Sequence, residues 1–566
     1  MFLNIFYMSD FSRKIKGLFG ERVFAYKQIL AVLLVLLIFT VRIMQIFIGL
    51  PYFADHGHGD DCFFYVTCTK NIFELPDSVF WSFGYWLSYV TSNILTDGSL
   101  IQLRVLQCFV DIAIYLLVFY ALKNVFNRTH ILIGLLFAAI AQSPAFSEFS
   151  CNGYSMFFVS LSVFFIFTGL RKKQNVMILL ASALLSVNVL VRLPNVLDAL
   201  FVLLIPLYYY CFEKQSIKES AIKSKKSVIF YFVGYFLGMV ASVVLLLCFD
   251  HFEKYLDFIK YLFLDKGESA HSGAWVYKAT VINCLNFVYF CLILLCVYVV
   301  VVCKSFYKWL LIIPSVFFLY KIYFHLSPSY DYRSYLFPFP ILFIVIYFVI
   351  KNKMREHLYW VIFAFVLFVL FPLGSASPNS FLFPFLGCFA YPITVGSLVT
   401  LYKKCSQLRV KFYFVFLLIF TTLVSVFIWI KFPYFFIQDR CKIFAEGKRV
   451  DNTGIITYAS DAESYNKYTN ILRPYVENKP VLTTDLFVFA TLNVKPFAIF
   501  VADWENKNPD RLLQKAYEEQ KDIPVIVLYK NDVNMRKLLF STSFIKNACY
   551  KEIYSDEIYQ IYKSDK

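Results

Sequence analysis

Long apolar runs separated by short polar loops occupy the first three quarters of the chain. About 17–25 apolar residues in a helix cross the hydrocarbon core of a bilayer, at 1.5 Å per residue. Thirteen such runs lie at 27–50, 101–122, 130–146, 154–170, 175–191, 196–212, 227–249, 280–303, 308–326, 335–350, 357–373, 382–402 and 411–430. Because the mean hydropathy is +0.63 and only 16% of the 566 residues are charged, we predict a polytopic α-helical membrane protein.

The distribution of Lys and Arg predicts which side of the membrane each loop faces. Roughly 24 basic residues lie at the N-terminus and in the alternate loops that follow it, against roughly 7 in the opposite loops. Positive charge favours the cytoplasmic side, so the N-terminus is predicted to be cytoplasmic. With an odd number of spans, the C-terminus is then extracytoplasmic. This clustering also accounts for the net charge of +16 and argues against a nucleic-acid partner.

Two domains are predicted, at 1–430 and 431–566. After about residue 432 the composition becomes that of a soluble domain. Apolar segments typical of strands alternate with an amphipathic pattern typical of helices, which favours a small α/β domain with a mainly parallel sheet. The segments GIITYAS, PVLTTD, FAIFVAD and PVIVLYK read as strands, and AESYNKYTNILRPYVEN and NPDRLLQKAYEEQ as helices. With no glycine-rich phosphate loop or nucleophile elbow, a lid or docking role is the simpler hypothesis.

The first outside loop, 51–100, carries a dense set of titratable residues directly after the first span. The stretch ADHGHGDDCFFYVTCTKNIF contains Asp55, His56, His58, Asp60 and Asp61. Its second half suits a short helix in the membrane interface, which one aspartate would cap, and the glycines also fit a solvated polar turn. A carboxylate held in a partly dry pocket could instead act as a general base. The histidines make a zinc site conceivable, although no structural-zinc spacing is present.

Two stretches of this region resemble the GT-C superfamily of membrane glycosyltransferases. GDDCFFYVTCTKNIF is similar to that family's acidic motif and the amphipathic helix that follows it. FGYWLSYVTSNILTDGSLIQLRVLQCFVDIAIYLLVFYALKNVF resembles its second span, with Arg104 at the outer end. The layout of spans and C-terminal domain is similar to the oligosaccharyltransferase catalytic subunit and the lipid A aminoarabinose transferases. The oligosaccharyltransferase signature WWDYG is absent, which disfavours peptide N-glycosylation.

The resemblance implies a donor in which a sugar is attached to a polyprenyl phosphate or diphosphate. Asp60 or Asp61 would be the catalytic base of an inverting displacement, and the acceptor hydroxyl would belong to a lipid, glycan or protein. The departing phosphate needs cations. The outside-facing candidates are Arg104, Arg192, Arg333 and Lys266, and each could alternatively extend its charge to lipid headgroups.

A metal cofactor is left open by the same resemblance. Some members of the family carry a second acid in the loop between spans three and four, where this chain has only Glu148. Asp55, His58 and Glu148 are the candidates for a second acid or a ligand of Mg²⁺ or Mn²⁺. No cofactor is predicted with certainty.

Two charged residues lie inside predicted spans. Arg42 is about eight residues from the outer end of the first span, and Asp111 about ten from that of the second, so their depths nearly match. Because an ionisable group in the membrane needs a partner, we expect Arg42 and Asp111 to form an ion pair that braces the two helices.

Other functions share parts of this pattern. The main hypothesis is a glycosyltransferase of the bacterial cytoplasmic membrane that acts in cell-envelope glycan or lipid modification. An envelope polysaccharide polymerase or ligase would usually need more arginine in its outside loops. A transporter or flippase would usually show inverted repeats and polar residues at the midplane. The sequence does not determine the sugar, the acceptor, the oligomeric state, or whether Cys62 pairs with Cys68 and Cys441 with Cys549.

Overall fold

The structure is a computed structural model, and the residues it describes are 26, 28–50, 61–73, 83–142, 149–264, 273–303, 305–324, 339–371, 379–431, 440–483, 485–492, 494–499, 509–530 and 533–565. Within these ranges every predicted span coincides with a helix. The prediction of a polytopic helical membrane protein followed by an α/β domain is confirmed.

Among the described residues, the first sixteen α-helices comprise the apolar helices, the two short helices α2 and α3 that follow α1, and the amphipathic helix α10. They are α1 (Gln28–Phe47), α2 (Asp61–Asn71), α3 (Trp86–Leu95), α4 (Leu100–Leu122), α5 (Arg128–Ala141), α6 (Cys151–Lys172), α7 (Asn175–Val187), α8 (Leu204–Cys211), α9 (Ile217–Cys248), α10 (Phe252–Leu264), α11 (Gly273–Val302), α12 (Ile312–Phe324), α13 (Phe339–Lys351), α14 (Arg355–Leu370), α15 (Asn379–Lys404) and α16 (Leu408–Lys431). Seven helices in the described part of the chain are long and apolar enough to cross a membrane, and further apolar helices are shorter.

The sixth predicted span departs from a regular α-helix. Its first half, Leu193–Leu203, is a 3₁₀ helix, and only α8 continues as an α-helix. Two tyrosine hydroxyls of α9 explain part of this, because Tyr231 donates to the carbonyl of Asp198 at 2.9 Å and Tyr235 to that of Val196 at 3.1 Å. These carbonyls therefore have partners outside their own helix, where the backbone would otherwise have to satisfy them within hydrocarbon.

Helices α7 and α9 pack at very short range because glycine stands at the contact. A Cβ atom added to Gly234 would lie 2.2 Å from the carbonyl oxygen of Leu179, and one added to Gly238 would lie 2.4 Å from that of Ala183. Small residues spaced four apart allow membrane helices to approach closely, where dispersion forces and close packing replace the hydrophobic effect.

The C-terminal domain is built around a five-stranded sheet of order β4-β3-β5-β7-β6. Strands β3 (Val481–Thr483), β4 (Pro496–Ile499) and β5 (Val525–Tyr529) are parallel, whereas β6 (Tyr550–Ser555) and β7 (Tyr559–Ser564) add antiparallel strands at one edge. The helices are α17 (Arg440–Glu446), α18 (Ala459–Val476), α19 (Leu486–Leu492), α20 (Pro509–Gln520), α21 (Val533–Ser541) and α22 (Ser543–Asn547).

The four predicted strands of this domain belong to two different sheets. Three of them form the parallel half of the sheet. The fourth, within GIITYAS, is β2 (Ile456–Thr457), which pairs with β1 (Lys448–Arg449) in a separate two-stranded antiparallel sheet. The two antiparallel strands β6 and β7 were not anticipated, so the sheet is mixed rather than mainly parallel.

The glycine contact between α7 and α9 gives a testable prediction. We expect Gly234→Leu to lower the free energy of unfolding by about 1–3 kcal/mol, because the added side chain has no space beside Leu179. The thermal unfolding of the purified protein in detergent measures this change. The matched control is Leu237→Ile, at an exposed position of the same helix. Equal melting temperatures for the two variants would show that the close approach of α7 and α9 is not required.

Candidate functional site

Helix α2 follows the acidic stretch directly in the chain. Asp61 is its first residue, although the position of the Asp61 side chain is not described. Several other predicted site residues also lie outside the described residues, namely Asp55, His58, Asp60, Glu148, Lys266 and Arg333. Their assignments stay predictions. The described geometry concerns the two helices that bracket this stretch, α1 before it and α2 after it.

Helix α2 is buried on all sides rather than lying in the interface between lipid and water. Its apolar residue Phe63 is fully buried, and so are the polar residues Thr67 and Thr69. The hydroxyl of Thr69 lies 2.8 Å from that of Ser92, and Asn93 donates to the Thr69 carbonyl at 2.8 Å. The Thr67 hydroxyl donates to the Phe63 carbonyl within α2 at 2.8 Å, so these threonines are bonded to protein groups rather than to interfacial water.

The other face of α2 packs against the C-terminal domain. The Phe63 ring lies 6.2 Å from the ring of Tyr465 and 6.0 Å from that of Phe487, in edge-to-face contacts. Asp485 is fully buried, and its carboxylate accepts from the Phe487 amide at 3.0 Å and from the Tyr559 hydroxyl at 2.5 Å. This holds the start of α19, and with it the Phe487 ring, against the helix that begins at Asp61.

The chain just before the acidic stretch, at the end of α1, is bonded to both α4 and the C-terminal domain. Arg104 is 1% exposed and donates from Nη2 to the carbonyl of Gly49 at 2.9 Å, with Nη1 3.5 Å from the carbonyl of Ile46. The amide of Gly49 donates to the carbonyl of Ile456 at 2.9 Å, so the end of α1 joins the C-terminal domain through its backbone. Arg104 thus satisfies the last carbonyls of α1. Its assignment to the donor phosphate stays a prediction.

The structure brings Arg42 and Asp111 together, as their matched depths predicted. Arg42 Nη2 is hydrogen-bonded to Asp111 Oδ2, and the two side chains are 3% and 0% exposed. Asp111 Oδ1 accepts from Gln107 at 2.8 Å and from Gln142 at 2.9 Å. The Tyr115 hydroxyl donates to Gln142 at 2.8 Å. This network joins α1, α4 and α5 under the acidic stretch, and its two glutamines were missed by sequence reasoning, which considered only charged residues.

Arg192 lies in a second buried polar cluster, near the start of α6 and just after the end of α7. Arg192 is 2% exposed, and its guanidinium lies 4.9 Å from the centre of the Phe371 ring. Asn188 donates to Asp198 at 3.0 Å, and Asn195 donates to Ser155 at 2.8 Å. Asp198 lies close enough to Arg192 for their charges to interact.

Asp198 was missed by the sequence analysis, although a signal was present. It is an acidic residue inside the predicted span 196–212, and it is 3% exposed in the structure. The depth argument that paired Arg42 with Asp111 could have identified it.

Lys70 is a further cation in this region and lies in the last turn of α2. Burial lowers the pKa of its ammonium group, and the nearby carboxylate of Asp97 partly opposes this effect. The stem of Lys70 lies over Gly98, whose φ of +72° and lack of a Cβ atom allow the contact. Lys70 is therefore a positive charge held against the protein rather than free in water.

Among the described residues there is no group of three or more His, Cys, Asp or Glu side chains that could hold a metal ion. The candidate ligands Asp55, His58 and Glu148 lie outside them, so metal binding stays a prediction. Cys68, Cys441 and Cys549 are free thiols in the structure, and Cys441 is not bonded to Cys549.

Two solved structures are similar to this chain in layout. One is ArnT from Cupriavidus metallidurans bound to undecaprenyl phosphate, with 11% identity, a TM-score of 0.46, and coverage of 95% of this chain and 98% of that one. The other is the oligosaccharyltransferase of Archaeoglobus fulgidus in complex with Zn and sulfate, with 12% identity, a TM-score of 0.45, and coverage of 94% and 73%. Neither a family model nor a curated protein matches the sequence.

The ion pair under the site gives the second prediction. We expect Arg42→Met and Asp111→Leu, each made alone, to lower the free energy of unfolding by about 3–5 kcal/mol, because each leaves the opposite charge buried without a partner. The double variant should recover most of that loss. Thermal unfolding and expression level measure all three. Single and double variants of equal stability would contradict the pairing as a structural brace.

Proposed function

We propose that this integral membrane protein is a GT-C-type glycosyltransferase. It would move a sugar from a polyprenyl-phosphate donor to the hydroxyl of an extracytoplasmic lipid, glycan or protein acceptor, with inversion. Its place would be the bacterial cytoplasmic membrane, with the N-terminus in the cytoplasm and the catalytic face outside. The ArnT structure contains undecaprenyl phosphate, which is the kind of lipid that the proposed reaction would release.

The observation that carries the proposal is the placement of helix α2. The helix begins at Asp61, is buried between α3 and the C-terminal domain, and follows a stretch whose other end is fixed by Arg104. The backbone at the start of this helix is therefore held between the membrane helices and the C-terminal domain, and we propose that the catalytic carboxylate belongs to this point of the chain. Fixed geometry is what a general base requires.

In the proposed reaction, the carboxylate of Asp60 or Asp61 takes the proton from the acceptor hydroxyl. The acceptor oxygen then forms a bond to the anomeric carbon as the bond from that carbon to the phosphate oxygen breaks. Polyprenyl phosphate leaves with the bonding electrons. Cations on the outside face would stabilise the departing phosphate. The described candidates are Arg104, Arg192 and Lys70, and the sequence adds Lys266 and Arg333.

A lipid donor also needs an apolar path within the membrane. Helices α11, α13 and α16 line a groove of about 590 Å³, whose walls include Phe287, Cys291, Tyr298, Phe343 and Tyr413. Phe343 and Leu295 are about half exposed at its opening, so the groove faces the surrounding lipid. We assign this groove to part of the prenyl chain of the donor.

The third prediction tests the base. We expect Asp60→Asn or Asp61→Asn to reduce turnover by about 10²–10⁴-fold, because an amide cannot accept the proton of the acceptor hydroxyl. Release of free polyprenyl phosphate from prenyl-phosphate sugars by the purified protein measures turnover. The matched control is Asp97→Asn, an exposed aspartate of the same loop, which should retain activity.

The same assay separates the competing functions and the metal question. Full turnover in both aspartate variants would contradict the catalytic assignment. Release of a diphosphate rather than a monophosphate lipid would favour the polymerase or ligase. Loss of activity with a chelator, restored by Mg²⁺ or Mn²⁺, would establish a metal requirement.

The fourth prediction tests the groove. We expect Cys291→Trp to fill it and to raise the KM for a long-chain prenyl donor about tenfold, equivalent to losing the burial of about two CH₂ groups. A farnesyl donor, too short to depend on the groove, should keep its KM. The control Cys296→Trp lies on the same helix outside the groove lining. If long and short donors respond alike to Cys291→Trp, the prenyl chain lies elsewhere.

A further inference from the structure

Two buried polar side chains of α1 have atoms without hydrogen-bond partners among the described residues. Arg42 and Gln45 are each 3% exposed. Arg42 uses Nη2 to bind Asp111, but its Nε and Nη1 have no partner. In Gln45, neither Nε2 nor Oε1 has one. Buried polar atoms without partners are uncommon and costly, so a concentration of four on one helix needs an explanation.

The four atoms lie on one side of α1. Arg42 and Gln45 are three residues apart, so they are neighbours on the helix surface. Arg42 contacts Asp111 of α4. Further along the chain, the carbonyls of Ile46 and Gly49 accept from Arg104, which is also in α4. Gln45 therefore lies between two levels at which α1 is bonded to α4. We call this region, defined by Arg42, Gln45, Gln107 and Asp111, the polar seam.

The chemistry of the seam selects its occupant. The guanidinium and the amide nitrogen offer several N–H donors, whereas Gln45 Oε1 is a single acceptor. The occupant must therefore present oxygen acceptors and at least one hydrogen to donate. Asp111 already balances the charge of Arg42, so an anion would meet no net positive charge.

We propose that the polar seam binds ordered water, held by Gln45 and by the Nε and Nη1 atoms of Arg42. Water is small enough for side chains that are 97% buried, and it supplies both acceptor and donor capacity. The bound water would complete the hydrogen bonding of Arg42, which lets the ion pair with Asp111 stay charged at membrane depth. This inference does not depend on the proposed enzymatic activity.

The direct test is solid-state NMR of the full-length protein in bilayers. The protein is labelled with ¹⁵N at glutamine side chains, and magnetisation is transferred from water in phosphate-free buffer. The Gln45 signal, identified by its loss in Gln45→Leu, should receive magnetisation well before that of Gln142, whose two polar atoms are bonded to protein. A Gln45 signal no stronger than that of Gln142, or one dependent on added phosphate, would overturn the proposal.

A stability measurement gives an independent result of predictable sign. If the seam is dry, Gln45→Leu removes two buried polar atoms without partners and should raise the melting temperature. If Gln45 holds water, the same change removes its hydrogen bonds and leaves Arg42 less satisfied, and we expect a fall of about 2–4 °C. An unchanged or higher melting temperature would contradict a water site. Should Gln45→Leu fail to fold, Gln45→Glu identifies the NMR signal instead.

Discussion

The contact between helix α2 and the C-terminal domain is the interaction that positions the helix beginning at Asp61. Phe63 is fully buried against Tyr465 and Phe487, and these aromatic rings come from opposite ends of the sequence. Burying such a side chain contributes about 1.5–3 kcal/mol, and edge-to-face ring pairs add to it. The helix that starts at Asp61 is therefore held in place by its contacts with the C-terminal domain, which a helix lying in the membrane interface would lack.

The membrane imposes the second constraint, since polar groups in hydrocarbon must find partners within the protein. Asp111 accepts hydrogen bonds from Arg42, Gln107 and Gln142, and Asp198 accepts one from Asn188. Both carboxylates are buried and join several helices. Such clusters cost stability unless they are fully bonded, and they set the relative positions of the helices that support the acidic stretch.

The parts of the structure that depend on local pattern could be predicted from sequence. Long apolar runs indicated each membrane helix, and alternating apolar segments indicated β3, β4 and β5. The ion pair followed from the depths of Arg42 and Asp111. The burial of α2 was not predictable from the sequence. The hydroxyls of Thr67 and Thr69, which suggested a water-facing surface, are bonded to the Phe63 carbonyl and to Ser92 of α3, and Phe63 contacts residues about 400 positions away. The 3₁₀ segment before α8 depends on hydroxyls of α9, which no local pattern reveals.

The same contacts connect the C-terminal domain to both ends of the segment that carries the proposed base. The carbonyl of Ile456 accepts the Gly49 amide just before the acidic stretch, and Phe487 packs on α2 just after it. A shift of this domain would therefore displace both ends of the segment that carries Asp60 and Asp61. Misplacement of a catalytic group by about 1 Å can cost 10²-fold in rate. A domain that acted only as a lid would change access to the site without moving the proposed base. The C-terminal domain is instead bonded before and after the segment that carries Asp60 and Asp61, so its position would also set the position of that base.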